Sequence, residues 1–132
     1  MDKSRRTFLK YSALAAGTAF LFPDEVLSSQ MKYDIHQQVL KQKFEFAAAE
    51  GLSSKSMSEI MAAIGQSFLD QPYKEHTLEG NAKERLVINL KEFDCVTFVE
   101  NTLAISRCIK MKKTTADEFA KQLQLIRYRG GI

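Results

Sequence analysis

Phe93-Asp94-Cys95-Val96-Thr97-Phe98-Val99-Glu100-Asn101 is the stretch on which both the fold and the chemistry turn. Val96, Val99, Leu103, Ser106 and Ile109 or Lys110 recur every three to four residues, which predicts a long buried helix from Cys95 to about Lys112. Asp94 is a favoured N-cap, because its carboxylate accepts from unpaired amides of the first turn. Cys95 then sits in that turn. A thiol attacks a carbonyl only as its thiolate, and free cysteine has a pKa of about 8.5. The open amides of a helix start carry roughly half a positive charge, which favours the anion and lowers that value. Asp-Cys at a helix start is thus the arrangement of a cysteine nucleophile; the competing reading is one more small buried hydrophobe. Cys108, mid-helix on a different face, takes the second reading.

Upstream, Ile35, Val39, Leu40, Phe44 and Ala47 give helical spacing over Tyr33 to Glu50, stopped by Gly51. Ser56-Met57-Ser58-Glu59 matches a capping box, and Ile60, Met61, Ile64 and Phe68 follow as a core-facing stripe that ends near Phe68. Pro72 pushes Gln71 out of the α region, so Asp70 to Asn81 reads as an extended or looped surface segment. In Glu84 to Leu90, the residues Leu86, Ile88 and Leu90 alternate with Arg85, Val87 and Asn89, which predicts a short strand. Downstream, Thr115-Ala116-Asp117-Glu118 is a second capping box, continued by Phe119, Ala120 and Leu123 as a shorter helix. Leu125-Ile126-Arg127-Tyr128 turns toward β character, as for a strand starting near 125, before Gly130-Gly131.

The amino terminus belongs to export rather than to the fold. Ser4-Arg5-Arg6-Thr7-Phe8-Leu9-Lys10 is a twin-arginine signal followed by an apolar stretch from Tyr11 to Phe22. A helix needs roughly 20 residues to cross a bilayer, so this stretch is too short for a stable membrane anchor. Val26-Leu27-Ser28 or Leu27-Ser28-Ser29 offers small residues for cleavage, giving residues 1–29 as signal peptide and 30–132 as the working domain. The expected partner at this end is the twin-arginine export machinery, and the expected location is the periplasm or another exported compartment. An oxidising destination raises the question of a disulfide. Cys95 and Cys108 on one helix lie about 20 Å apart, against the roughly 7 Å that a bridge tolerates, so two free thiols are expected.

Composition limits the remaining classes. The chain has 132 residues, 45% hydrophobic and 27% charged, which suits one globular domain. A net charge of +3, spread along the sequence, lacks the footprint of a nucleic-acid binder. Neither histidine nor any carboxylate falls into a His-Glu-x-x-His, Cys-x-x-Cys or calcium-loop pattern, so no metal and no cofactor are expected. Lys110, Lys112 and Lys113 sit where a helix C-terminus favours cations, with no anionic partner required.

Ile64-Gly65-Gln66-Ser67-Phe68-Leu69, Pro72-Tyr73, Thr77-Leu78-Glu79, Glu84 through Leu90, Phe93 through Asn101 and Arg127-Tyr128-Arg129-Gly130-Gly131, in that order, resemble the N-acetylmuramoyl-L-alanine amidase-like family of exported bacterial proteins. That family is related to the NlpC-type, papain-like cell-wall cysteine hydrolases. Val96-Thr97 stands where the wider superfamily often has Ser-Gly, which points to the amidase-like branch. The resemblance implies an α+β papain-like fold, of which this chain carries the helical part and the nucleophile helix.

The resemblance further implies that Cys95 attacks an amide carbonyl of peptidoglycan and forms a thioester that water hydrolyses. Tyr73 is implied to place its hydroxyl beside the thiol or the developing oxyanion, and Asp94 shares the substrate-binding end of the helix. Such chemistry needs an oriented imidazole. In the superfamily it comes from strands downstream of the nucleophile helix, and no His follows His76 here, so a truncated and inactive chain is expected. His76 matches a variable position rather than the base, and His36 reads as a surface or core-edge residue. Glu79, Glu100, Arg127 and Arg129 either line the groove, brace the nucleophile helix or are solvated charges. Cleavage of the muramoyl-alanine bond or of an inter-peptide bond, and transfer in place of hydrolysis, all fit this site. A non-catalytic exported helical module that binds peptidoglycan or a partner protein is the competing reading.

Overall fold

The computed structural model describes residues 24–80 and 82–131. The twin-arginine segment and the apolar stretch after it lie outside these residues. The chain divides into two units, Met1–Asp34 and Ile35–Ile132, and the core and the candidate site lie in the second. Among the described residues no helix is long and apolar enough to cross a membrane.

Helix α1 is Asp24–Ala49. It is already helical at Asp24, ahead of the start that the apolar spacing predicts, so the expected cleavage region falls within it. Leu40, Phe44 and Ala47 are its buried stripe, whereas Ile35, counted in that stripe from sequence, is exposed. Gly51 follows with φ 62, a left-handed conformation that ends the helix and leads into a 3-10 turn, Leu52–Ser54.

Helix α2, Met57–Gln66, starts on the expected capping box: Ser56 Oγ accepts from the Glu59 amide, and the Ser56 amide donates to Glu59 Oε2 at 2.9 Å. Ile60 and Ile64 are fully enclosed. At Gly65 the helix comes close to α3, Cys95–Met111, since an added Cβ would lie 3.6 Å from the Phe98 ring. Helix α4, Ala116–Arg127, completes the core with Phe119 and Leu123. Its capping box is only half made. Thr115 Oγ1 accepts from the Glu118 amide, but Glu118 Oε1 accepts instead from Gln122 Nε2.

Three sequence expectations fail for identifiable reasons. Residues 84–90 form no strand: Leu86, Ile88 and Leu90 do pack inward as the alternation demands, yet no second strand lies alongside to supply the ladder. Residues 125–127 stay helical, because Phe119, Leu123 and Ile126 share one inward face at helical spacing. Only Tyr128 turns extended, before a 3-10 turn at Arg129–Gly131. The described part is mainly helical, as expected for the helical part of the fold, but carries neither expected strand; its sole β pairing is an isolated parallel bridge between Tyr73 and Phe93. In α3 the predicted stripe holds at Ser106 and Ile109 and fails at its start: Thr97, Asn101, Ala104, Ile105 and Cys108 also face inward, while Val96 and Val99 are 57% and 53% exposed.

Candidate active site

Phe93 organises the site. Its ring is buried edge-on against Phe68 at 5.1 Å and Phe98 at 6.0 Å, a geometry aromatic quadrupoles favour. Its backbone holds the upstream loop: the Phe93 amide donates to Pro72 O at 3.2 Å and Phe93 O accepts from the Lys74 amide at 2.9 Å. A Lys74–Glu92 ion pair at 3.1 Å flanks this bridge. Tyr73 is thereby fixed beside the residue that precedes the helix cap. Sequence reasoning quoted Phe93 as part of a motif and missed this role, because Phe68, Phe93 and Phe98 fall on no helical or strand period.

Asp94 caps α3. Its Oδ1 accepts from the Thr97 amide at 2.8 Å and from Thr97 Oγ1 at 2.9 Å, while Thr97 Oγ1 accepts from the Asp94 amide at 3.0 Å. The bonds from Thr97 hold the Asp94 carboxyl below the usual aspartate range, helped by the Val96 amide and the nearby His76. Cys95 is the next residue, the first of the helix, and its thiol is free and exposed. Cys108 on the same helix is free, buried and pushed up to about 12 by desolvation. Both thiols are unbridged, as the helix geometry demands.

The Tyr73 hydroxyl donates to Glu75 Oε1 at 3.3 Å. Its pKa is raised, first by partial desolvation, then by Glu75, and then by the charges of Cys95 and Asp94. His76, at φ 59, bonds through Nδ1 to Glu79 Oε1 at 2.8 Å; that bond and charge raise its pKa. His36 accepts at Nδ1 from the Leu90 amide at 3.3 Å, so this nitrogen carries no proton, and burial lowers its pKa. It is the core-edge residue the sequence suggests. Neither imidazole bonds to Cys95 among the described residues, and those residues contain no group of three or more potential metal ligands.

Glu100 and Arg127 brace α3. Arg127 donates from Nε to Glu100 Oε2 at 3.0 Å and from NH1 to Val87 O at 2.6 Å, tying α4, α3 and the extended segment together. The two side chains are only 8% and 15% exposed, so removing either leaves a poorly hydrated charge, at a cost of about 3 kcal/mol. Arg127 and Tyr128 also wall a cavity of about 460 Å³ with Leu78, Glu79, Gly80, Lys83, Glu84 and Arg85.

A lone exposed cysteine opening a helix, with a tyrosine docked beside it, defines a class: a helical module presenting a thiol at a helix start. The family model of N-acetylmuramoyl-L-alanine amidase-like proteins matches residues 63–132, and the chain belongs to that family. Two crystal structures of an N-acetylmuramoyl-L-alanine amidase from Bacteroides uniformis are similar to it, each at 43% identity, with TM-scores of 0.54 and 0.53. Each match covers 58% of this chain and 31% of the other, so the chain spans about a third of that amidase's length. No curated protein matches the chain.

Proposed function

We propose that this chain carries the nucleophile-bearing helical part of an exported, papain-like cell-wall hydrolase, an amidase or peptidase that cleaves an amide of peptidoglycan through Cys95. The observation that carries this reading is the placement of Cys95: exposed, first in α3, directly after an Asp94 cap, with the Tyr73 hydroxyl in its field. The thiolate attacks the amide carbonyl, the amine departs with a proton, and water then hydrolyses the thioester. Tyr73 donates toward the developing oxyanion, and Asp94 keeps the helix start in register beneath the thiol. Both histidines are engaged elsewhere, so in this reading neither His36 nor His76 serves Cys95 as its base. Export through the twin-arginine pathway would bring the domain to its polymer.

The test uses the full chain and an electrophile built on a muropeptide stem, such as its chloromethyl ketone. Covalent labelling should map to Cys95 and not Cys108 by peptide mass, and should outpace the same electrophile without the stem. Equal rates for the two reagents would leave only a reactive thiol and overturn the substrate class. Release of peptidoglycan fragments that persists in Cys95→Ala would overturn the nucleophile.

A further inference from the structure

We propose that His36 is a proton-operated latch on the turn at residues 89–93, closed while its imidazole is neutral and opened when the imidazole takes up a proton. The turn runs straight into the Asp94 cap, and each amide from Leu90 to Asp94 has its own acceptor. Lys91 and Glu92 donate to Asn89 Oδ1 at 3.0 and 3.1 Å, Phe93 to Pro72 O at 3.2 Å, and Asp94 to Thr97 Oγ1 at 3.0 Å. The Leu90 amide donates to His36 Nδ1 at 3.3 Å, from a residue on α1 that lies 54 positions earlier. Of these acceptors, only the imidazole exchanges its lone pair for a proton near neutral pH. Protonation sets two donors head to head. Leu90 is fully enclosed, so its amide has no water to turn to and the turn must shift to relieve it.

The surroundings set the direction of the switch. Burial lowers the His36 pKa first and the Lys91 charge lowers it further, while Glu92 raises it. Glu92 is itself paired with Lys74 at 3.1 Å, which leaves it a weak counter-charge for an imidazolium. On α1, Asp34 stands two residues away, on a different face, and the Lys43 ammonium is held over the Phe68 ring. A histidine held below its ordinary value of about 6.5 stabilises the fold above that value, and the contribution fades as pH falls from there through the folded value. The latch is therefore closed at neutral pH and opens in mild acid. Through the Phe93 amide and carbonyl the turn also seats the segment around Tyr73, so opening loosens the Tyr73–Phe93 bridge ahead of α3. This goes beyond the cell-wall reading, and the latch stands whether or not Cys95 attacks peptidoglycan.

The experiment titrates the 15N-labelled full chain by NMR from about pH 8 to about pH 5, following the ring protons of both histidines and the amides of Leu90, Phe93 and Lys74. The Leu90 amide should move in step with the His36 ring, with a midpoint below about 6.5, and Phe93 and Lys74 should carry the same transition. His76, raised by Glu79, titrates at higher pH and marks its own separate transition. His36→Gln keeps an acceptor that does not titrate, and should hold the Leu90 amide at its neutral-pH position throughout. His36→Leu has no acceptor and should hold that amide away from this position at every pH. A Leu90 amide that shows no transition in step with the His36 ring, a transition that persists in either variant, or Phe93 and Lys74 amides that do not follow would overturn the latch. Cys95→Ala should show the parent's transition. A lost transition with Cys95 labelling intact therefore sinks the latch alone, and stem-independent labelling with the transition intact sinks the cell-wall reading alone.

Discussion

The first turn of α3 and its last turns are built from similar residues and live in opposite surroundings. At the start, Cys95, Val96 and Val99 are open to solvent. Two to three turns on, Ala104, Ile105, Cys108 and Ile109 are enclosed by the other helices. The two cysteines show what this does: burial drives the Cys108 thiol up to about 12 and makes it inert, whereas Cys95 stays accessible beside a capped helix start. Position on the helix and the face it presents, rather than residue type, separate a packed thiol from an accessible one. The open face also leaves Val96 and Val99 without the cover that aliphatic side chains of a helix normally obtain.

The contrast is broken most sharply by thiol reactivity. Cys108 should alkylate about 10³-fold more slowly in the folded chain than in denaturant, since a thiol pushed from about 8.5 to about 12 holds that much less thiolate. Mass-resolved iodoacetamide kinetics measure this, and comparable folded and unfolded rates at Cys108 would abolish the distinction. Packing is the next test. Ile105→Ala should cost about 3 kcal/mol in urea unfolding, as a fully enclosed isoleucine leaves a cavity, while Val99→Ala should change stability by no more than about 0.5 kcal/mol. Similar losses at both sites would mean that the exposed face is covered in solution. The smallest effect concerns the cap: Asp94→Ala should cost about 1 kcal/mol at pH 7. The Asp94 carboxyl titrates below its unfolded value of about 3.9, so its contribution is present above that pH and fades as pH falls through the lower folded value. Unfolding curves at pH 7 and pH 3 should therefore converge for the parent and Asp94→Ala; an unchanged gap would remove the carboxylate from the account.

Local signals were legible where they depend on neighbours in sequence. The Ser56 capping box, the Asp94 cap, the Gly51 stop and Cys95 in the first turn of its helix are all found as expected. The second capping box shows the limit of that logic, because Glu118 had two partners within one turn and took Gln122. The strand expected over residues 84–90 failed differently. Its inward alternation is present, but a strand is a property of a pair, and alternation reports only which side faces the core.

The sequence by itself determined where α2 and α3 begin, where α1 ends and which sulfur opens a helix, because caps, left-handed stops and dipoles act over a few bonds. Only the tertiary structure decided which face of α3 is buried. Val96 and Val99 satisfy helical periodicity as well as Ala104 and Ile105 do, and the choice falls to the shapes of α2 and α4 packed against it. It likewise decided that Tyr73 bridges to Phe93, just ahead of the Asp94 cap, and that Arg127 meets Glu100. Those contacts join residues far apart in the chain through one buried aromatic anchor and one buried ion pair, neither of which leaves a periodic mark in the sequence.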